Sequence, residues 1–181
     1  MKKKCAVTAV ASSFALFLGG CASSQIAMPV VPDSLVAPAT QSLSLAVQAS
    51  GVQIYQCAVA KMDPTKFEWR FIAPEADLFD SSGKKIGKHY AGPTWESLDG
   101  SKVVGAVKAQ NDGPDAGAIP WLLLSAKSHS GSGVFGPVQS IQRLSTVGGK
   151  APADGCDQAQ VGKEARVAYQ AQYRFYSDKS S

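Results

Sequence analysis

The strongest constraint on this chain is a two-residue rhythm. Near the C-terminus Val167, Tyr169, Ala171, Tyr173 and Phe175 alternate with Arg166, Ala168, Gln170, Gln172 and Arg174. Successive side chains of an extended strand point to opposite faces, so the pattern buries one face and wets the other. A helix would scatter the same residues around its surface. The rhythm recurs in Leu43–Ala49, and again where Phe67, Trp69 and Phe71 alternate with Glu68, Arg70 and Ile72. Aromatics in such a strand belong to a core. Val52–Val59, Lys85–Tyr90, Lys102–Gln110, Trp121–Lys127 and Val138–Thr146 read as further strands. Trp121–Leu124 is apolar on both faces and is expected to be the most buried. Between the runs stand "ASG", "DPT", "DSSG", "LDGS", "NDGPDAG", "SGSG" and "VGGK", all turn signals. A bend is expected around Pro74–Leu78. With no amphipathic helical window and no repeat, the expected fold is all-β: one antiparallel β-sandwich or small β-barrel.

The N-terminus follows a different grammar. Lys2, Lys3 and Lys4 precede an uncharged run from Cys5 to Leu18, then Gly19, Gly20 and Cys21. A basic head, a short apolar run and small residues make a secretory signal peptide. The run is too short to span a bilayer, which takes about 20 apolar residues. Its end, "LGGC", resembles the lipobox of bacterial lipoproteins. That resemblance implies removal of residues 1–20 and lipid on Cys21, where more than one acyl chain gives a stable anchor. Ala22 resembles the residue of lipoproteins sent to the outer membrane. Cleavage nearby without lipid, giving a secreted protein, is the alternative. Residues 21–40, with several prolines and no steady period, read as a flexible tether. The β domain is expected over 41–178, with 179–181 a disordered tail.

Charge gains its meaning after that cut. Eighteen Lys and Arg face fourteen Asp and Glu; without Lys2, Lys3 and Lys4 fifteen face fourteen, a net +1. No basic cluster remains to bind nucleic acid. Of four cysteines, Cys5 leaves with the signal and Cys21 takes lipid, so Cys57 and Cys156 remain. In an oxidising compartment they read as a disulfide, with two buried thiols or one catalytic thiol as alternatives.

Motifs for chemistry are sparse. Gly131, Gly133 and Gly136 form a G-x-G-x-x-G, but Pro137 and a strand-like run follow instead of a helix, so a hairpin loop is expected. The two histidines, His89 and His129, lack metal-ligand spacing, and no metal or cofactor is expected. Acids cluster at Glu75, Asp77, Asp80, Glu96 and Asp99 and could converge near His89 for general acid–base work. Asp80 and Asp99 equally suit turns. The segment "HYAGPTWE" puts His89, Tyr90, Trp95 and Glu96 beside a Gly92-Pro93 strand break, as candidate ligand-binding residues.

The phrases "GVQIYQC", "APEADLFD", "GKKIGKHYAGPTWE", "IPWLLLSAK" and "STVGGKAPADGC" together resemble an exported family of unknown function, DUF3455, over Val36 to Tyr176. The resemblance implies a mostly β exported domain of bacteria and fungi, with no established activity. Cys57 and Cys156 fall in two of these phrases, which favours pairing them. The expectation is a lipid-anchored, disulfide-braced β domain of the bacterial cell envelope, in the outer membrane and facing periplasm or surface. It would bind a glycan or an envelope protein, or give structural support. The alternative is a small glycan hydrolase using His89 with Glu96 or Asp99.

Overall fold

The alternating runs become the staves of a ring. The computed structural model describes residues 29–180. Its strands are β1 (Gln41–Val59), β2 (Phe67–Phe79), β3 (Lys85–Tyr90), β4 (Thr94–Ser97), β5 (Lys102–Asn111), β6 (Trp121–Ser130), β7 (Val138–Gly148) and β8 (Glu164–Asp178). Each pairs antiparallel with the next, and β8 returns to β1 from Gln41↔Asp178 to Gln56↔Glu164. Of the two all-β forms expected, the up-and-down barrel is the one built, and closure leaves no sheet edge to protect.

The two-residue rhythm sorts side chains into lumen and exterior. Val47 and Ala49 of β1, Leu78 of β2, Leu124 of β6, Ile141 of β7 and Phe175 of β8 are fully buried in one cluster. Eight strands leave an interior that side chains fill or that holds one small ligand. The first half of β6, Trp121–Leu124, is buried on both faces, as its composition predicts. Leu122 and Leu124 face the lumen, while Trp121 and Leu123 meet Leu35 and Leu144 outside.

Leu35 belongs to the stretch expected as a flexible tether. A 3-10 turn, Asp33–Leu35, instead lays this segment on the barrel wall. Leu35 has no exposed surface, and its carbonyl accepts from Gln142 Nε2 at 2.6 Å. Burying one leucine is worth about 1.5–3 kcal/mol. Val31 joins the same cluster.

Three other expectations differ from what forms. "ASG" is not a turn: β1 runs through it, because Gly51 lets β2 approach closely. A Cβ there would lie 2.1 Å from the Glu75 carbonyl oxygen. Nor does the chain bend at Pro74–Leu78. Pro74 pairs with Gln53, and β3 joins β2 only from Ala76, so the proline sits where one neighbour is missing. Trp69 and Phe71 are not core residues either. Phe71 is half exposed, and Trp69 Nε1 donates to the Asp154 carbonyl at 2.9 Å. A bulge between Ile54 and Tyr55 in the β1–β2 register resets this end of β2.

Candidate functional site

One end of the barrel is shut. Between β6 and β7 the loop 131–137 turns Phe135 inward, with no exposed surface and its ring 4.7 Å from Phe175. Ser101 Oγ accepts from Phe135 N at 3.1 Å, and Asp99 Oδ2 accepts from Val134 N at 2.9 Å. The G-x-G-x-x-G glycines are therefore the plug loop of a hairpin. The other end opens into a cavity of about 400 Å³, reached between β2, the turn 91–93 and β5. Phe71, Ile72 and Val107 line it with about half of each side chain exposed. Ligand pockets are commonly apolar clefts of roughly 300–1,000 Å³.

His89 lies on the cavity wall, 3 % exposed. Its ring stacks on Trp95 at 4.4 Å and meets Tyr173 edge-on at 5.1 Å. Nδ1–H donates to the Thr94 carbonyl at 2.8 Å, which fixes the neutral tautomer and leaves Nε2 as an acceptor. Burial, the larger cause, and the nearby Arg143 charge push its pKa down to about 3, against the carbonyl bond that raises it. Trp95 fits because β5 carries Gly105, where a Cβ would stand 3.0 Å from Cζ3 of the indole.

Arg143 faces the same space, opposite Leu122 and Tyr173 in the registers of β7. Its Nε donates to the Pro120 carbonyl at 3.0 Å, and no carboxylate pairs with it among the described residues. Burial raises the phenol pKa of Tyr55, Tyr169 and Tyr173, and the Arg143 charge opposes each rise. Tyr55 donates to the Gly149 carbonyl at 2.6 Å. The hydroxyls of Tyr169 and Tyr173 approach each other, and the Arg143 guanidinium approaches that of Tyr173, without closing a hydrogen bond of good geometry; Gln53 Nε2 and Trp95 Nε1 also lack a partner among the described residues.

The pleat divides the "HYAGPTWE" candidates. His89↔Trp95 is a cross-strand pair facing in, while Lys88↔Glu96 is the pair facing out. Outside, Tyr90 donates to Glu96 Oε2 at 2.8 Å, with Lys102 at 3.4 Å and Lys88 at 3.6 Å. That bond from Tyr90, more than the lysines, holds the Glu96 carboxyl below its ordinary pKa and raises that of Tyr90. Asp99 is bound into the closed-end turn. The Ser101 hydroxyl and the amides of Val134 and Ser101 hold it down to about 2. β2 and β3 do pair around Gly83, yet Glu75 and Asp77 face Arg166 and Lys85 instead of His89. Asp80 caps its own turn through Ser82 and Lys84. His129 sits at the closed end against the Val138 carbonyl. No trio of His, Cys, Asp or Glu among the described residues is arranged to hold a metal.

The sequence reading missed Arg143, Tyr173 and Gln53 as site residues. Their signal was available: each is polar or polar-tipped at a position in phase with the apolar face of its strand.

Cys57 and Cys156 form a disulfide with Cα atoms 5.4 Å apart, tying the loop 149–163 to β1 beside the open mouth. The backbone adds Gly162 N to the Cys57 carbonyl and Cys57 N to the Lys163 carbonyl, both 2.9 Å. Cys21, the signal segment 1–20 and the first part of the expected tether lie outside the described residues. Fold and site define a disulfide-braced, eight-stranded barrel closed at one end and hollow at the other. The chain belongs to the family described as protein of unknown function (DUF3455), which it matches over residues 38–177. No curated protein and no solved structure matches it.

Proposed function

We propose that this protein is an exported binding barrel that takes one small, largely apolar molecule into the open end of its lumen. The observation that carries the reading is the one-ended cavity: about 400 Å³, walled by aromatic and aliphatic residues, with Phe135 closing the far end. Burial in such a space releases apolar surface from water at about 25 cal/mol per Å². A glycan would need amides and acids around it, and Glu96 and Tyr90 point to the opposite face of the sheet. Catalysis by His89 with Glu96 or Asp99 draws no support from the geometry. The imidazole is inside, one carboxylate is outside, and the other is bound within a turn.

The envelope location belongs to the same proposal. It rests on the basic head, the short apolar run and "LGGC", and a disulfide is compatible with export. Cys21→Ser should move the protein from the membrane fraction to the soluble one; retention in the membrane would refute the lipid anchor. Binding is tested on the full chain carrying Cys21→Ser, purified without detergent, with the neutral fluorophore N-phenyl-1-naphthylamine. One saturable site is expected, lost in Leu124→Trp, which fills the lumen, once circular dichroism shows that variant folded. No saturable binding, or equal binding to both proteins, would refute the reading.

A further inference from the structure

Among the described residues, four buried side-chain atoms around the lumen that lack a hydrogen-bond partner are all able to donate, and the neutral His89 Nε2 is set against them on the cavity wall as an acceptor. The four are the Tyr169 and Tyr173 hydroxyls, Gln53 Nε2 and Trp95 Nε1, and all four residues are 2 % exposed or less. Arg143 adds a guanidinium, the only charged side chain lining the cavity among the described residues. Its Nε is committed to the Pro120 carbonyl, which fixes the plane of the fork. A half-closed apolar space with more donors than acceptors and one cation lacks, above all, negative charge. Water accepts hydrogen bonds but does not neutralise the cation. Guanidinium binds a carboxylate through two parallel bonds, and neighbouring tyrosine hydroxyls can complete such a site.

We infer that the ligand of this cavity carries one carboxylate-like anionic head on an apolar, ring-sized body, and that Arg143 reads the head. The body lies against Trp95, Leu122 and Leu124, where flat surfaces are offered by the stacked His89–Trp95 pair. The head sits toward Tyr173 and Gln53. Selectivity follows from charge: a cationic head meets Arg143 with repulsion, and a neutral head leaves the guanidinium unpaired. The inference rests on the proposal that the cavity is a binding site.

Three probes with one ring system separate the two claims: 2-naphthoate, 2-naphthylmethanol and 2-naphthylmethylamine, titrated calorimetrically into the full chain carrying Cys21→Ser. A hydrogen bond to a charged group makes the carboxylate the tightest, by about tenfold or more over the alcohol. The amine should be the weakest. Arg143→Gln should erase the order by weakening naphthoate alone, and Arg143→Lys, which keeps charge without the fork, should restore part of it. Equal affinities for naphthoate and the alcohol in the parent protein would overturn the inference and leave the binding cavity standing. So would binding of N-phenyl-1-naphthylamine with none of the three probes. Failure of every probe would overturn both. Because the head-group order is read in the parent protein, it decides the matter even where Arg143→Gln does not fold.

Discussion

A buried, neutral histidine makes the barrel sensitive to mild acid, and His89 permits that sensitivity to be worked out. In the folded protein the imidazole is held neutral, with its pKa pushed down to about 3. In the unfolded chain it returns to about 6.5. Between those values the unfolded chain binds a proton that the folded protein refuses, so stability rises with pH across the window. The contribution is fully present above the unfolded value and is lost progressively as the pH falls toward the folded one. From about pH 7 to about pH 5 the loss integrates to about 2 kcal/mol. That corresponds to a fall of about 4–8 °C in melting temperature for a domain of this size. Of the groups facing the ring, Trp95 has nothing to titrate and burial holds the Tyr173 phenol above this window, while the carboxylates held low at Asp63, Asp80, Glu96 and Asp99 stay ionised.

The measurement is a pair of urea unfolding series against pH, for the parent protein and for His89→Asn, whose amide can still donate to the Thr94 carbonyl. The variant is expected to be less stable at neutral pH, having lost the stack on Trp95, yet flatter in its dependence. The difference between the two curves isolates His89, because His129 is common to both. Identical slopes between about pH 5 and about pH 7 would refute the neutral, buried state. A stability that increased on acidification would refute it more directly, since it requires an imidazolium stabilised by the fold.

Other consequences are checked by ordinary means. Replacing Cys57 and Cys156 by alanine opens a loop of 99 residues and should remove roughly 4–5 kcal/mol in the chain-entropy model, read from the urea midpoint with and without reductant. Phe135→Ala, which empties the plug, should cost about 3–5 kcal/mol and speed hydrogen exchange through the loop 131–137. Gly51→Val should fail to give the native near-ultraviolet spectrum, because its Cβ would lie within 2.1 Å of the Glu75 carbonyl oxygen. Glu96→Gln, on the outer face, should leave both melting temperature and probe binding close to those of the parent; a loss of binding would place the site outside the lumen.

How much of this was legible beforehand depends on which residues carry the pattern. β8 was plain, because Tyr169, Ala171, Tyr173 and Phe175 hold one phase without interruption, and all four are buried. β1 and β2 were legible only in pieces. "ASG" and Pro74 are local breaking signals, and tertiary context overrides them: Gly51 serves a close strand approach, and Pro74 lies where β3 has not yet joined. Leu35 was hidden for a different reason. Its short segment has no period of its own, and what it covers is the outward apolar face of β6 and β7, far along the chain. The wetted face of β6 was therefore missing from the pattern, and the missing alternation was the clue that something covers it.

The candidate site was harder to read, because "HYAGPTWE" looks like one cluster and is two. A strand of alternating faces cannot present adjacent residues to the same ligand, so His89 and Tyr90 were bound to part, as were Trp95 and Glu96. In a closed barrel the concave surface is the lumen, and its polar groups must sit at positions in phase with the core. Gln53, His89, Arg143 and Tyr173 meet that condition, and all of them line the cavity. The acids that drew attention do not meet it, and they hold turns or pair with surface lysines and arginine. A polar residue in the apolar phase is thus the better marker of function in such a fold than a cluster of polar residues in a loop. Arg143, a lone cation placed where the pattern calls for an aliphatic side chain, is its clearest instance.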